Sequence, residues 1–156
     1  MSPALADFPL DALPGHYIRR LQQIAVAVFL EETAEFGITP VQFAALQAVQ
    51  QQPGLDQRSL ARTIGYDTST IGGVVDRLEK RGLLQRQASP SDRRVRQLVL
   101  TAEGQRVLTL IIAPMQRAQH RMLAPLPEDQ RAEFLRMLVA LVQGNNELAR
   151  APGELG

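Results

Sequence analysis

Apolar residues open the chain at helical spacing: Tyr17, Leu21, Ile24 and Val28 stand three and four apart, with Ile18, Ala25 and Phe29 beside them. The pattern predicts a helix over residues 13–35, stopped by Gly37. Its apolar face is broad for a terminal helix and calls for a partner surface. Thr39-Pro40-Val41-Gln42 restarts a helix, with Thr39 as N-cap, Pro40 in the first turn and Gln42 reaching back. Phe43, Leu46 and Val49 form its inner stripe, and Pro53-Gly54 ends it. Asp56 caps a short helix through Ile64, with Leu60, Ala61 and Ile64 facing inward. Gly65-Tyr66 turns the chain, and Asp67 or Thr68 caps the next helix, which carries Ile71, Val74, Val75 and Leu78. Gly82 closes that helix after Lys80-Arg81, where cations meet the end of the dipole.

The period then changes. Leu83–Ala88 and Val95–Leu100 read as two strands joined by the polar tip Ser89-Pro90-Ser91-Asp92-Arg93-Arg94. Thr101-Ala102-Glu103-Gly104 caps a long helix holding Leu108, Ile111, Ile112, Met115, Met122 and Leu123, which Pro114 is expected to kink or divide. Leu126-Pro127-Glu128 opens a last helix with Phe134, Leu135, Leu138, Leu141 and Val142 inside and Gly144 near its end; the tail after Arg150 is expected to fray. The predicted fold is mainly α with a small β-hairpin wing. One domain, 1–156, holds helical arms at 13–35 and 102–148 around a helix-turn-helix and hairpin at 39–101. The arms are too thin to hide their own stripes, and a symmetric homodimer is the economical solution.

With 156 residues, 45% of them hydrophobic and 21% charged, the chain can bury a core of its own. No uncharged apolar run reaches the roughly 18 to 20 residues that cross a bilayer, so no membrane partner is expected. The opening MSPALADFPLDALPG has neither the basic nor the apolar region of a secretory signal. Cysteine is absent, which removes disulfides, thiolate catalysis and cysteine-ligated zinc together. A cytoplasmic location is the simplest expectation.

The net charge of +1 hides an asymmetry. Between Asp56 and Arg96 stand nine basic and five acidic residues, a balance of +4, against eight basic and eleven acidic in the remainder. A basic middle between acidic ends points to one surface made for a polyanion. Eight of the nine cations are arginine, whose fork suits phosphate and guanine better than an ammonium does.

Two short helices joined by a tight glycine turn form a helix-turn-helix pattern. Thr68, Ser69 and Thr70 occupy the first turn of the second helix, where short hydroxyls reach base edges or phosphates. The same helix start offers free N–H groups and a positive dipole end to a phosphate. Gly72 and Gly73 each cost a helix about 1 kcal/mol relative to alanine, a cost that makes sense where backbone approaches something closely. DNA is one such object; a neighbouring helix is another, and the hydroxyls also suit plain capping. Arg77 is placed to reach a base or the flanking backbone. Gln57, Arg58 and Ser59 on the preceding helix, Gly73, and Lys80 at the second helix's end complete the candidate DNA-facing set there. On the hairpin tip, Arg93 and Arg94 suit a minor groove, and Asp92 is placed to pair with one of them and hold its fork. A tip of this kind seen alone is an ordinary solvated turn. Directly after a hydroxyl-led second helix it reads as a wing.

These residues resemble the MarR family of winged-helix transcription regulators over nearly the whole chain. The match runs through Thr39-Pro40-Val41-Gln42-Phe43-Ala44-Ala45-Leu46, Leu60-Ala61 and Asp67-Thr68-Ser69-Thr70. It continues through Val75-Asp76-Arg77-Leu78-Glu79-Lys80-Arg81-Gly82-Leu83-Leu84, Arg86, Ser91-Asp92-Arg93-Arg94 and Leu100-Thr101-Ala102-Glu103-Gly104. The resemblance implies a homodimer whose first and last helices form a dimerisation lobe. It also implies double-stranded DNA with a palindromic site as partner and, commonly, repression relieved by a small ligand. Gly72-Gly73 departs from the pattern, since many relatives carry a polar or basic residue there, so reading falls more heavily on Ser69, Thr70 and Arg77. Many members sense aromatic carboxylates or phenols in a pocket lined by the first, second and fifth helices. Residues of suitable chemistry here are His16, Tyr17 and Arg20 on the first helix and Phe43 and Gln47 on the second. His16 also reads as a surface residue and Tyr17 as a core one. Lack of cysteine argues against the thiol-oxidation branch, and the four methionines read as core filler.

No catalytic constellation is visible. His16 and His120 stand alone, and Glu31-Glu32 and Glu128-Asp129 read as solvated charge. No cofactor and no metal are expected. The remaining alternative is a winged helix used for protein contact or for non-specific nucleic-acid binding, without a ligand.

Overall fold

In the computed structural model, residues 9–149 are described; most of the opening segment and the tail after Arg150, read above for a signal and for fraying, lie outside them. Six helices and one hairpin follow in order: α1 (Pro14–Glu32), α2 (Pro40–Gln51), α3 (Gln57–Ile64), α4 (Thr68–Lys80), β1 (Leu84–Ala88), β2 (Arg96–Leu100), α5 (Ala102–Leu123) and α6 (Glu128–Gly144). The fold is a winged helix-turn-helix with helical arms.

The starts follow the predicted caps. The Thr39 hydroxyl accepts from the Gln42 amide at 3.2 Å while the Gln42 side chain accepts from the Thr39 amide at 3.1 Å. Asp56, Asp67 and Thr101 cap α3, α4 and α5 through the amides of Ser59, Thr70 and Gly104. The first helix departs from expectation at its far end. It stops at Glu32, not residue 35, because buried Thr33 turns its hydroxyl back onto the Phe29 carbonyl at 2.7 Å. A 3₁₀ turn, Ala34–Phe36, follows, and it is this turn that left-handed Gly37 ends.

The hairpin strands also begin one residue later than their pattern. Leu83 is buried, and its amide closes α4 on the Leu78 carbonyl at 2.9 Å. Val95 stays in the tip, donating to the Asp92 carbonyl. β1 and β2 then pair antiparallel, Leu84 opposite Leu100 and Ala88 opposite Arg96. β2 has a second neighbour that the sequence does not announce. The Gly54 amide donates to the Leu98 carbonyl and the Leu98 amide to the Leu55 carbonyl, both at 2.9 Å, so the chain entering α3 lies along β2.

One continuous core runs from Phe29 through Leu46, Val49, Leu60, Ile71, Leu78, Leu84 and Leu98 to Ile111 and Ala118. α1 packs chiefly on α5, and α2, α3 and α4 pack on one another. Pro114 does not divide α5; its ring is buried and the helix continues to Leu123. The last helix departs more sharply from its reading. No residue of α6 is buried in the single chain, and Leu135, Leu141 and Val142 are 59%, 58% and 61% exposed. Ile18 and Ile24 on α1 are exposed too.

The joint between wing and α5 is backbone against backbone. The Leu83 carbonyl accepts the Thr101 amide at 3.1 Å, and the Thr101 hydroxyl donates to the Gly82 carbonyl at 2.5 Å. Gly104, one turn into α5, sits so close that a Cβ there would overlap the Leu83 carbonyl oxygen. We expect Gly104→Ala to destabilise the fold by about 2–3 kcal/mol, the scale of overpacking at a site whose neighbour is backbone. Urea denaturation measures it, and an unchanged midpoint would mean that α5 can back away from Leu83 freely.

Candidate nucleic-acid interface

α3 ends in a tight turn. Gly65 takes a φ of +76°, and the amides of Gly65 and Tyr66 both reach the Ala61 carbonyl. This brings the start of α4 beside the start of α3, where Gln57 bridges them. Its Nε2 donates to the Thr68 carbonyl at 3.5 Å, and its Oε1 accepts from the Arg86 guanidinium at 3.2 Å. Arg86 in turn pairs with Asp76 at 2.7 Å and Glu79 at 3.0 Å on α4. Gln57 therefore has an internal task that its place in the candidate DNA-facing set did not foresee. A Cβ on Gly72 would lie 3.1 Å from the amide nitrogen at the tip of the Gln57 side chain. Within the chain, the group nearest Gly72 comes from the neighbouring helix.

The three hydroxyls at the start of α4 separate by role. Ser69 is exposed and free among the described residues, whereas Thr68 is half-buried. Thr70 donates its hydroxyl to the Asp67 carboxylate at 2.7 Å and its amide to the same group at 2.6 Å. These two bonds, the hydroxyl's first, lower the Asp67 pKa from its usual 3.8. The carboxylate also occupies the positive end of the helix dipole. The cap takes the Thr70 amide and leaves the earlier amides of the first turn without a side-chain cap among the described residues. At α3 the arrangement repeats: the Ser59 amide donates to Asp56 at 2.7 Å and, with the Ser59 hydroxyl, lowers the Asp56 pKa.

In the wing tip, Asp92 does not pair with an arginine fork. Its carboxylate accepts the Arg94 backbone amide at 3.0 Å, a short-range bond that builds the turn. Buried Ser89 holds Ser91 from the other side at 3.0 Å, and both arginine side chains are left exposed.

The charge count now acquires a geometry. All five carboxylates of the 56–96 segment are engaged: Asp56, Asp67 and Asp92 on backbone amides, Asp76 and Glu79 on Arg86. Of the nine cations, Arg86 is enclosed by these pairs and Arg81 binds main-chain carbonyls. Arg58, Arg62, Arg77, Lys80, Arg93, Arg94 and Arg96 are exposed. Among the described residues none of their side chains enters a hydrogen bond or ion pair. Arg62 and Arg96 are visible in the sequence only as charge; they lie on α3 and at the start of β2. Arg77 lies along α4, its Nη1 3.9 Å from where a Cβ on Gly73 would stand.

The candidate ligand residues fall on two helices. His16 and Tyr17 meet edge to face near the start of α1, ring centroids 5.2 Å apart, with Arg20 exposed one turn on. The Nδ1 of His16 is buried without a partner among the described residues. On α2, Phe43 packs against Phe29 at 5.8 Å and Gln47 is half-buried. No hydrogen bond joins the two sets among the described residues.

A hydroxyl-fronted second helix, a basic wing and a free cation set define a DNA-binding winged helix. The MarR family profile matches residues 38–95. The chain is 34% identical to a putative transcriptional regulatory protein for the hcr operon of Thauera aromatica, over 85% of this chain and 81% of that one. Among solved structures, the PcaV transcriptional regulator of Streptomyces coelicolor, in complex with its natural ligand, matches with a TM-score of 0.80 and 38% identity. That match covers 87% of this chain and 96% of the other. The transcriptional repressor CouR, bound to a 23-mer DNA duplex, matches with a TM-score of 0.81 and 34% identity over 85% and 94% of the two chains. CouR is also solved bound to p-coumaroyl-CoA. The chain belongs to the MarR family, whose members are transcription regulators and not enzymes.

Asp56 and Asp67 carry a pH prediction. A carboxyl whose folded pKa is depressed stabilises above its unfolded value, and the contribution is lost as pH falls through the folded value. Both caps should therefore hold at neutral pH and let go only in acid. Nuclear magnetic resonance titration of the Ser59 and Thr70 amides should give midpoints below 3.8, the ordinary aspartate value. Midpoints at or above it would mean that these caps do not form.

Proposed function

We propose that the chain is a dimeric, sequence-specific repressor that binds a palindromic operator and is released by a small aromatic carboxylate or phenol. The observation that carries the DNA reading is the charge arrangement: every carboxylate between residues 56 and 96 is engaged while seven cations stand free. Two copies of α4 enter successive major grooves roughly 34 Å apart, with Ser69 and Arg77 toward base edges. Arg93 and Arg94 on the wings reach the flanking minor grooves. Lys80 and Arg58 serve the phosphates. CouR on its duplex, related over most of both chains, supports the same mode.

The homodimer rests on the bare apolar faces. Residues 13–35 and 102–148 form its lobe, and residues 39–101 form the DNA-binding lobe. Ile18 and Ile24 on α1 and Leu135, Leu141 and Val142 on α6 lack cover in one chain, and a two-fold contact between these helices supplies it. For the effector, the support is the unpartnered ring nitrogen of His16 close to Tyr17 and Arg20, together with the ligands held by PcaV and CouR.

Selection of bound sequences from random duplexes tests the DNA reading. The expected result is a palindrome preferred over random DNA by at least about a thousandfold, with affinity falling steeply as salt rises. Arg93→Ala with Arg94→Ala should weaken binding and flatten the salt dependence. A duplex-independent affinity would leave a non-specific or protein-binding winged helix instead. Arg20→Ala should keep operator affinity but blunt release by 4-hydroxybenzoate, read by fluorescence anisotropy; unchanged release removes Arg20 from the pocket.

A further inference from the structure

Two of the nine cations of the basic segment are paired within the chain, and one of these, Arg81, joins elements far apart in sequence. We infer that Arg81 is a positioning residue for DNA recognition: its guanidinium ties the end of α4 to the turn between α1 and α2 and so fixes the angle at which α4 is presented. This rests on the reading of α4 as the DNA-reading helix.

Carbonyls at the end of a helical run have no amide ahead of them and carry the negative end of the local dipole. After α1, that end falls at Phe36 and Gly37, where the 3₁₀ turn stops. Arg81 supplies what is missing. Its Nη2 donates to the Phe36 carbonyl at 2.7 Å and its Nη1 to the Gly37 carbonyl at 2.8 Å, across 45 and 44 residues of sequence. A planar fork serves two successive carbonyls at once, whereas a lysine ammonium has no such paired geometry. Arg81 is itself the C-cap residue of α4, so the bond is made at the very end of that helix.

α4 is thus held twice at one end. Gly82 and Leu83 fasten it to the start of α5, and Arg81 fastens it to the α1–α2 turn. Its other end, with Ser69 exposed, meets α3 through the Gln57 bond to the Thr68 carbonyl at 3.5 Å. A helix of 13 residues is about 20 Å long, so a tilt of about 5° at the held end moves the first turn by about 1.7 Å. Base-edge hydrogen bonds do not survive such a displacement.

The test compares wild type, Arg81→Met and Arg81→Lys in the full chain, against the selected palindrome across a salt series and by amide hydrogen exchange without DNA. As a positioning residue, Arg81 should leave the slope of log affinity against log salt unchanged in both variants. Affinity itself should fall by about tenfold in Arg81→Met and be only partly restored in Arg81→Lys. Exchange should quicken together at residues 36–38 and 78–83 in both variants. A phosphate-contacting arginine gives the opposite pattern: the slope drops by roughly 1 per contact, about 2 for a symmetric pair, and lysine restores it. That pattern, or unchanged affinity, overturns the inference. Unchanged exchange overturns the tie itself, whether or not the protein selects a palindrome; absence of any preferred duplex in wild type instead removes the DNA reading on which the positioning role rests.

Discussion

Leu83 and Gly104 touch backbone to backbone, and the placement of every element after α4 follows from that contact. The left-handed turn at Gly82 delivers Leu83 into the core, where its amide still closes α4 and its carbonyl receives Thr101. Thr101 returns a second bond to Gly82 and caps α5 with the same hydroxyl. The two ends of the hairpin are therefore pinned at the point where α5 begins. Only a residue without a side chain at 104 lets α5 start there. From that start Val107, Leu108 and Ile111 come up into the core, and α5 packs on α1, α2 and β2. An α5 displaced outward by one methyl would take them with it, and close-packed interiors do not absorb such shifts.

Arginine plays three parts in the 56–96 segment, and composition does not separate them. Arg86, 23% exposed and facing two carboxylates and an amide, locks the wing strand to α4 and α3. Arg81 caps carbonyls. The free arginines of α4 and the wing do neither. Each part has a different energetic character: a partly enclosed multiple pair resists salt, while an exposed pair contributes about 0–1 kcal/mol and is screened. The α1–α5 pairs, Glu32 with Arg117 and Arg121 and Glu31 with Arg121, belong to the second kind, since both arginines are about half exposed. They trim the alignment of two helices that apolar contact already holds.

What could be read from the sequence was local. Thr39, Asp56, Asp67 and Thr101 cap through residues three positions away, so spacing alone reveals them. The glycine turns at Gly65 and Gly82 and the hairpin are likewise short-range. What stayed hidden spans long loops: Gln57 to Arg86, Arg81 to Phe36 and Gly37, Leu83 to Gly104, and the Gly54–Leu55 edge on β2. The wing tip misled for a related reason. Asp92 beside two arginines looks like a salt bridge, but its carboxylate reaches a backbone amide two residues on, which asks less entropy than immobilising a long side chain. Pro114, read as kinking or dividing α5, does not divide it. An interior proline removes one helical bond, yet burial of its ring in the core offsets part of that cost and the helix runs on.

α6 is the element that a single chain leaves without a core. Seventeen residues without a single buried side chain gain almost nothing from tertiary packing, and a helix of that length is marginal in water by itself. Its Leu135, Leu141 and Val142 need apolar cover, as do Ile18 and Ile24 of α1. In the proposed dimer one contact meets that need and also sets the separation of the two α4 helices. The route from that contact to α4 is short: α1 lies on α5, α5 begins at the Thr101–Gly82 joint, and α4 ends there. In the proposed function, a ligand between α1 and α2 would act on operator spacing only through its differing affinity for two arrangements of this route. On that reading the joints at Gly82–Thr101 and Arg81–Gly37 carry the difference to α4.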